Sequence, residues 1–222
     1  MSQLEDDGVI IVERVVSESL LQTLRGHFSQ IAIERPGARG FDLSHEILAP
    51  IAGKLASLAS FLASRPMNPV RVLFFDKTPD SNWSVPWHQD RTIAVEQRHD
   101  VFGFGPWSVK NGIAHVEPPV EVLEDMLTLR LFVDDCDTDN GPLEVACGSH
   151  RVGRIAANRV KEVAARSDIF VGTGHAGDVL AMKLLAIHCS KRSAAVDHRR
   201  VIHVDYASRD LAPPLQWAVK VS

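Results

Sequence analysis

The chain has 222 residues, of which 45% are hydrophobic and 23% charged. These values are those of one globular domain and exclude a fibrous or disordered protein. The formal net charge of -4 provides no basic field, so we expect no nucleic-acid partner. The three cysteines include no closely spaced pair, the N-terminus is acidic, and no apolar run approaches a membrane span. We therefore expect a cytoplasmic protein without a membrane partner.

The first third of the chain has helical periodicity after a short apolar strand-like run over residues 8–12. Ser17 is a suitable N-cap for a helix, and apolar residues follow it at helical spacing: Leu20, Leu21, Leu24, Phe28 and Ile31. A second apolar stripe predicts another helix over residues 45–63. Both stripes are interpreted as faces that pack on a core.

From residue 70 onward the chain changes to short β-type runs, over residues 70–75, 127–133, 179–187 and 201–206. Turn signals at residues 140–142 and 177–178 separate some of them. Helices followed by many short strands predict a mainly β fold with flanking helices, either a β-sandwich or a jelly roll. We expect a single domain over residues 1–222, in which helices within 15–65 pack on a β core within 70–210.

The tetrapeptide Trp87-His88-Gln89-Asp90 is the first pattern that indicates a chemistry. Residues two apart in a strand point to the same side, so His88 and Asp90 can bind one ion from one face. Two histidines and one carboxylate leave three positions of an octahedron open for a chelating co-substrate and dioxygen. An HxD pair alone is weak evidence in a chain with ten histidines.

A second histidine is suggested by the context of His188. Gly177 and Asp178 precede the apolar run 179–187, which we interpret as a buried strand that ends at His188. By itself this position fits either a core histidine bonded to a backbone carbonyl or a metal ligand.

Arg199 follows His188 by eleven positions, at the start of the run 201–206. A short loop over residues 190–198 would return the chain so that Arg199 stands on the strand beside His188. Arginine binds carboxylates through a planar fork and stays charged when buried. Strand alternation alone does not decide whether Arg199 or its neighbour Arg200 points inward.

With these motifs in order, the chain resembles the phytanoyl-CoA dioxygenase family, a branch of the Fe(II)/2-oxoglutarate oxygenases. The resemblance extends over nearly the whole chain, and the set is far more specific than any one member. Its specific segments are WHQD at 87–90, DNGPLEVACGSHRVG at 139–153, GDVLAMKLLAIHCS at 177–190, and Arg199.

The resemblance implies a double-stranded β-helix, which is a cupin-like jelly roll, and one Fe(II) bound by His88, Asp90 and His188. It also implies that 2-oxoglutarate, the co-substrate used with O2, is bound by Arg199 and Ser190. No catalytic residue beyond the metal ligands is required. The implied reaction hydroxylates an unactivated C–H bond of a small molecule and releases succinate and CO2, with desaturation or cyclisation as other outcomes of the same chemistry.

Two other functions are compatible with the residues. One is a protein or peptide side-chain hydroxylase of the same fold. The other is a non-catalytic, cupin-like metal-binding protein, which would have no use for Arg199. The sequence carries no signal for the oligomeric state.

Substrate contacts are expected around the segment over residues 91–124, which we interpret as one long loop. Its first residues, Arg91 and Thr92, follow the ligand Asp90 directly, and Trp107 lies in a glycine-rich stretch that could close over a bound molecule. Arg130 lies on the strand face opposite its leucine neighbours. A buried arginine there needs an anionic partner, which could be the substrate, 2-oxoglutarate or a protein acid.

Overall fold

The computed structural model describes residues 3–28, 38–39, 48–194 and 198–219. The helices are α1 (Gln3–Asp7), α2 (Glu18–Phe28), α3 (Ala49–Ala63), α4 (Val120–Glu124) and α5 (Val160–Ala164). The strands are β1 (Val9–Val12), β2 (Ala38–Arg39), β3 (Asn68–Lys77), β4 (Val85–His88), β5 (Ile93–Val95), β6 (Trp107–Lys110), β7 (Ile113–Val116), β8 (Leu127–Phe132), β9 (Leu143–Ala146), β10 (Ile169–Gly172), β11 (Val179–Lys183), β12 (His188–Ser190) and β13 (Arg199–Ala207). The prediction of a mainly β jelly roll with flanking helices is confirmed.

The largest sheet has six strands in the order β1-β11-β8-β13-β3-β2. Its central strands β8, β13 and β3 pair antiparallel, and their register places every second side chain on one common face. That face lines a cavity and carries Arg71, Leu73, Phe75 and Lys77 of β3, Thr128, Arg130 and Phe132 of β8, and Arg199, Val201, His203 and Asp205 of β13. The large sheet therefore presents an unusually polar inner face.

The opposite face of the large sheet is apolar and carries the main core. Leu129, Leu131 and Ile202 are fully buried there, in one cluster with residues of α2 and α3. Helix α2 begins at Glu18, directly after the predicted cap Ser17, and α3 ends at Ala63 as predicted. Ile31 and residues 45–47 of the predicted helices lie outside the described residues.

The second sheet has four strands in the order β10-β9-β12-β4 and faces the polar side of the large sheet across the cavity. The predicted strand over residues 179–187 is wrong in its extent. Strand β11 ends at Lys183, and after a turn at Leu184 and Leu185 the chain enters β12 in the other sheet. His188 therefore begins a new strand instead of ending the old one.

The segment over residues 91–124 is not a long loop, contrary to our expectation. Its strands form a third sheet in the order β5-β7-β6, and α4 follows. Ile93, Val95 and Val116 are fully buried in a second core cluster. These strands have three or four residues each and are separated by segments that contain Gly and Pro. The alternation of apolar and polar residues is therefore too short to give a clear signal, which explains why this sheet was missed.

Candidate active site

The candidate site is a cavity of about 200 Å³ between the two larger sheets. The residues that line it are Arg71, Leu73, Phe75, Trp83, Val85, His88, Asp90, Lys110, Arg130, Leu143, His188, Cys189, Ser190, Arg199 and His203. Asp90 is the one carboxylate in this set, whereas four of its members are arginine or lysine besides the histidines. The cavity is therefore suited to anions.

His88, Asp90 and His188 meet inside this cavity. Each offers a ligand atom, and these atoms all lie within 4.8 Å of one another. His88 and His188 are directly paired across β4 and β12, and their ring centroids are 4.2 Å apart. Asp90 lies just beyond the end of β4, not within a strand as we expected, so the turn after His88 brings its carboxylate to the histidines.

Both imidazole rings are oriented by their own backbone. The Nδ1 atom of His88 lies 2.8 Å from the Pro86 carbonyl oxygen, and Nδ1 of His188 lies 2.9 Å from that of Ala186. A carbonyl oxygen can only accept, so Nδ1 carries the proton in each ring and Nε2 is left as a lone-pair donor. This tautomer is the one that a metal ligand requires.

The protonation states of the ligands also favour a cation. Burial, with a further contribution from His88, lowers the pKa of His188 to about 3. Burial raises the pKa of Asp90, but the charges of Arg71 and the nearby histidines outweigh burial and hold it well below its usual range. At neutral pH the site therefore offers a neutral imidazole and an ionised carboxylate.

Gln89, between the two ligands of the HxD motif, is buried and links three segments. Its Nε2 donates to the carbonyl oxygens of Leu185 at 2.8 Å and Gly153 at 2.9 Å, and its Oε1 accepts from the Ile155 amide at 2.9 Å. Ser149 acts similarly, since its hydroxyl accepts from the Ile187 amide at 2.8 Å. These bonds position the backbone on both sides of the candidate ligands.

A buried polar network connects the large sheet to Asp90. Arg71 donates through Nη2 to the Asp90 carboxylate at 3.2 Å and through Nε to Asp205. Asp205 is fully buried and also accepts from the Thr128 hydroxyl at 2.6 Å and contacts His203 Nε2 at 3.0 Å. Sequence reasoning missed Arg71, His203 and Asp205. Ionisable residues on one face of an otherwise apolar strand, such as His203 and Asp205, were the signal that could have found them.

The other end of the cavity contains Arg199 and Ser190, and Lys77 lies beside them. Arg199 is 3% exposed, forms no salt bridge with any described residue, and its Nε has no hydrogen-bond partner. Lys77 pairs with Arg199 in the register of β3 and β13, and its Nζ lies 3.4 Å from the Ser190 hydroxyl. Arg199 and Ser190 face each other across the cavity from different sheets, so Arg199 does not stand on a strand beside His188 as we expected.

Arg200 points away from the cavity. Its guanidinium binds the Asp134 carboxylate through Nη2 at 2.7 Å and Nε at 2.8 Å. The register therefore resolves which arginine faces inward. Arg199 lines the cavity, and Arg200 is part of a partly buried ion pair outside it.

Of the four predicted substrate residues, Arg130 lines the cavity and the other three do not. Arg91 forms a bidentate ion pair with Glu117 at 2.7 and 2.9 Å. Trp107 packs at the edge of the second core cluster, under the Arg98 guanidinium at 5.5 Å. Thr92 accepts a hydrogen bond from Lys110 Nζ at 3.0 Å, and Lys110 is a cavity residue. The contact of Arg91, Thr92 and Trp107 with a substrate stays a prediction.

A jelly roll in which two histidines and a carboxylate converge between the sheets has the geometry of the non-haem iron oxygenases. The sequence profile of the phytanoyl-CoA dioxygenase family (PhyH) matches residues 4–201, so the chain belongs to that family. The resemblance stated from the motifs is confirmed. The family consists of iron- and 2-oxoglutarate-dependent oxygenases, and the chain is an oxidoreductase of that class.

Solved structures share this fold at low sequence identity. AviO1 from Streptomyces viridochromogenes Tue57 is 21% identical with a TM-score of 0.67, covering 96% of this chain and 94% of its own. The apoform of EctD from S. alaskensis is 18% identical with a TM-score of 0.71, at 98% and 85% coverage. The epimerase SnoN, solved with Fe3+, alpha ketoglutarate and nogalamycin RO, is 16% identical with a TM-score of 0.69, at 99% and 93% coverage. No curated protein matches the chain.

None of the helices in the described part of the chain combines the length and apolar character that a membrane-spanning helix requires.

Proposed function

We propose that this protein is an Fe(II)- and 2-oxoglutarate-dependent dioxygenase that oxidises a C–H bond of a small molecule. The observation that carries the proposal is the convergence of His88, Asp90 and His188, within 4.8 Å of one another. The same cavity contains Arg199, which forms no salt bridge with any described residue. A metal at one end and a buried cation at the other suit a chelating dicarboxylate.

The three ligands fit a divalent iron. Both rings direct Nδ1 to a carbonyl oxygen, which leaves Nε2 for the metal. Asp90 would bind through one oxygen, since Arg71 holds the other at 3.2 Å. Two neutral imidazoles and one carboxylate leave open positions for a chelate and for dioxygen.

The far end of the cavity fits the second carboxylate of 2-oxoglutarate. Arg199 is buried and has no acidic partner among the described residues. A buried guanidinium without an anion is costly, so binding a carboxylate there is favourable. Ser190 supplies a hydroxyl, and Lys77 lies beside it. We assign Arg199 and Ser190 as the binding residues for this carboxylate.

With iron bound, the site would couple oxidation of a substrate R–H to R–OH with conversion of 2-oxoglutarate to succinate and CO2, one atom of O2 entering each of R–OH and succinate. The protein residues bind and orient the reactants and exclude water, and no side-chain acid or base is needed.

The substrate would enter at the half-buried edge of the cavity, where Trp83, Val85 and Lys110 lie near His88. The remaining cavity residues are mostly buried and would be covered by the co-substrate. Two of the similar solved structures contain small molecules, nogalamycin RO in SnoN and 5-hydroxyectoine in EctD, which supports a small molecule over a peptide. Because SnoN is described as an epimerase, comparison of metabolites with and without enzyme should include epimers and dehydrogenated products as well as alcohols.

The test uses succinate formation, which needs no known substrate because 2-oxoglutarate decarboxylation can proceed uncoupled. We expect His88→Ala and Asp90→Ala each to abolish Fe(II)-dependent succinate formation and to remove stoichiometric Fe(II) binding. The matched control is His175→Ala, because the His175 side chain is 89% exposed and far from the cavity residues. Circular dichroism checks that the variants are folded. Succinate formation at the wild-type rate in either ligand variant would show that the iron site is elsewhere.

A non-catalytic metal-binding protein makes a different prediction. It would bind iron through the same three residues but give no spectral change with 2-oxoglutarate. We expect the anaerobic Fe(II) protein to develop a weak visible charge-transfer band when 2-oxoglutarate is added, and its absence would favour the non-catalytic alternative.

A further inference from the structure

Arg130 is a second buried cation of the cavity, and its position differs from that of Arg199. It lies on the inner face of β8 and is 6% exposed. It forms no salt bridge with any described residue, and its Nε has no hydrogen-bond partner. A protein acid as its partner, one of the three possibilities raised by the sequence, is therefore excluded within the described chain.

Neighbouring rings hold the guanidinium of Arg130 in place. Its Nη1 donates to Nδ1 of His203 at 2.9 Å, and its Cζ lies 5.2 Å from the centroid of the Phe75 ring. Since Nδ1 of His203 accepts, the ring proton is on Nε2 and is donated to Asp205. The guanidinium is thus pre-organised in the cavity by groups that do not neutralise its charge.

The strand register places Arg130 on the iron side of Arg199. Arg130 pairs with His203, one inward-facing position from Asp205, whose partner Arg71 holds Asp90. Arg199 is two inward-facing positions from His203 in the other direction. With about 6.7 Å per inward-facing position, the backbone of Arg130 lies about 7 Å along the strands from the level of Asp205 and about 13 Å from that of Arg199. The side chains are closer, since burial and the charge of Arg199 lower the pKa of Arg130. Its contact with Phe75 directs it into the space between these ends.

Arg130 lies between the two ends of the cavity that the co-substrate must join. In the register it is one inward-facing position from the level of Asp205 and two from that of Arg199. It is 6% exposed, whereas Trp83, Val85 and Lys110 at the entrance are half-buried. The group that meets Arg130 is therefore the co-substrate and not the molecule that enters after it.

We propose that Arg130 binds the C1 carboxylate of 2-oxoglutarate, the one that chelates iron, while Arg199 binds the C5 carboxylate. The inference rests on the proposed function. Two separated guanidinium groups then match the two carboxylates of the dianion. Because C1 leaves as CO2 and C2 becomes a carboxylate of succinate, the product would present its second carboxylate one carbon further from Arg130 than the co-substrate does.

The experiment compares three ligands that differ in one carboxylate. 4-Oxopentanoate has a methyl group in place of the C1 carboxylate, and 2-oxopentanoate lacks the C5 carboxylate. Affinities for the anaerobic Fe(II) protein are measured by calorimetry, or by competition with 2-oxoglutarate followed by its charge-transfer band. The variants are Arg130→Gln and Arg199→Gln. The control is Arg200→Gln, which removes the arginine of the Arg200–Asp134 ion pair.

We expect Arg130→Gln to weaken the binding of 2-oxoglutarate and of 2-oxopentanoate by about 10- to 100-fold, which is the effect of losing one charge-assisted pair. Its affinity for 4-oxopentanoate should stay within about twofold to threefold of the wild type, because that ligand has no C1 carboxylate to lose. Arg199→Gln should show the opposite pattern: the affinity for 4-oxopentanoate should fall and the affinity for 2-oxopentanoate should not. If the role of Arg130 were purely structural, Arg130→Gln would lower the affinity for all three ligands alike.

Equal affinities of wild type and Arg130→Gln for all three ligands would overturn the inference, as would equal losses for all three. Arg130→Lys keeps the charge without the planar fork, so it should lose part of the 2-oxopentanoate affinity and none of the 4-oxopentanoate affinity. This variant decides the question if Arg130→Gln does not fold. If the wild type itself shows no binding of 2-oxoglutarate, the proposed function fails and not only the assignment of Arg130.

Discussion

At the scale of single residues, the two adjacent arginines at the start of β13 have different surroundings, because one faces the cavity and the other faces away from it. Arg199 is buried and forms no salt bridge within the described part of the chain, whereas Arg200 is bound by Asp134 through two nitrogens. Because inward and outward positions alternate along a strand, the same side chain has opposite roles at neighbouring positions.

We expect Arg199→Ala to weaken 2-oxoglutarate binding by about 1.5–3 kcal/mol, the range for losing a charged hydrogen-bonded pair. Arg200→Ala should change it by less than about 0.5 kcal/mol. Anaerobic titration of the charge-transfer band measures both. A larger loss for Arg200→Ala would reverse the assignment.

Lys77 is the residue from which we expect an unusual pH dependence. Burial, and then the charges of Arg199 and Arg130, lower the pKa of Lys77 to about 7, and the thiols of Cys136 and Cys189 oppose this only weakly. The unfolded chain keeps a lysine pKa of about 10.4. Between these pH values the unfolded chain binds a proton that the folded protein does not, so Lys77 makes stability rise with pH from about 7 to about 10.

We expect Lys77→Met to remove this rise. Urea unfolding between about pH 6.5 and about pH 9.5 should show the wild type gaining stability relative to Lys77→Met as the pH increases. Lys54→Met, at an exposed position on α3, is the control and should follow the wild type. Parallel stability curves for the wild type and Lys77→Met would mean that Lys77 keeps its proton when buried.

At the scale of secondary-structure elements, the site depends on segments joined by buried side chains and not on strands alone. Strand β4 ends at His88, so Asp90 belongs to a turn whose course is set by Gln89. The same turn leads into the third sheet, where Glu117 pairs with both Arg91 and Arg154. Those ion pairs connect the metal-ligand turn to the segment after β9.

We expect Gln89→Met to destabilise the protein by about 2–5 kcal/mol, because three backbone groups lose their partner inside the protein. It should also weaken Fe(II) binding, since the turn between His88 and Asp90 is no longer held. Urea unfolding and an anaerobic Fe(II) titration measure the two effects. Gln22→Met, exposed on α2, is the control. A stability within about 0.5 kcal/mol of the wild type would show that these bonds are not important.

At the scale of the whole molecule, iron and 2-oxoglutarate would join the two large sheets. The candidate metal ligands belong to β4, β12 and the turn after β4, whereas Arg199 and Arg130 belong to the six-stranded sheet. A ligand that binds only the folded state stabilises it by RT ln(1 + [L]/Kd), about 2.7 kcal/mol at a concentration of 100 Kd.

We therefore expect the thermal midpoint under anaerobic conditions to rise with Fe(II) and to rise further when 2-oxoglutarate is added. Chelation of the metal should reverse both increases. Asp90→Ala should show neither, while His175→Ala should behave as the wild type. If 2-oxoglutarate raised the thermal midpoint equally with and without the metal, binding by chelation would be contradicted.

The sequence by itself determined the fold class, the positions of the two longest helices and the four longest strands, and the identity of the motif residues. Period-two and helical apolar patterns are local properties, and WHQD, GSHR and the arginine after His188 have a fixed spacing along the chain. The jelly roll, α2 after Ser17 and the strands near residues 70, 127 and 201 were predictable for this reason. The weakly patterned third sheet was not.

Only the tertiary structure decided which side chains meet. The register of β13 against β3 and β8 turned Arg199 inward, and the change of sheet between β11 and β12 brought His188 opposite His88. The network of Arg71, His203 and Asp205 has no fixed spacing, because its members come from strands far apart in the chain. Contacts of that kind follow from strand order and register, which a single sequence does not encode locally.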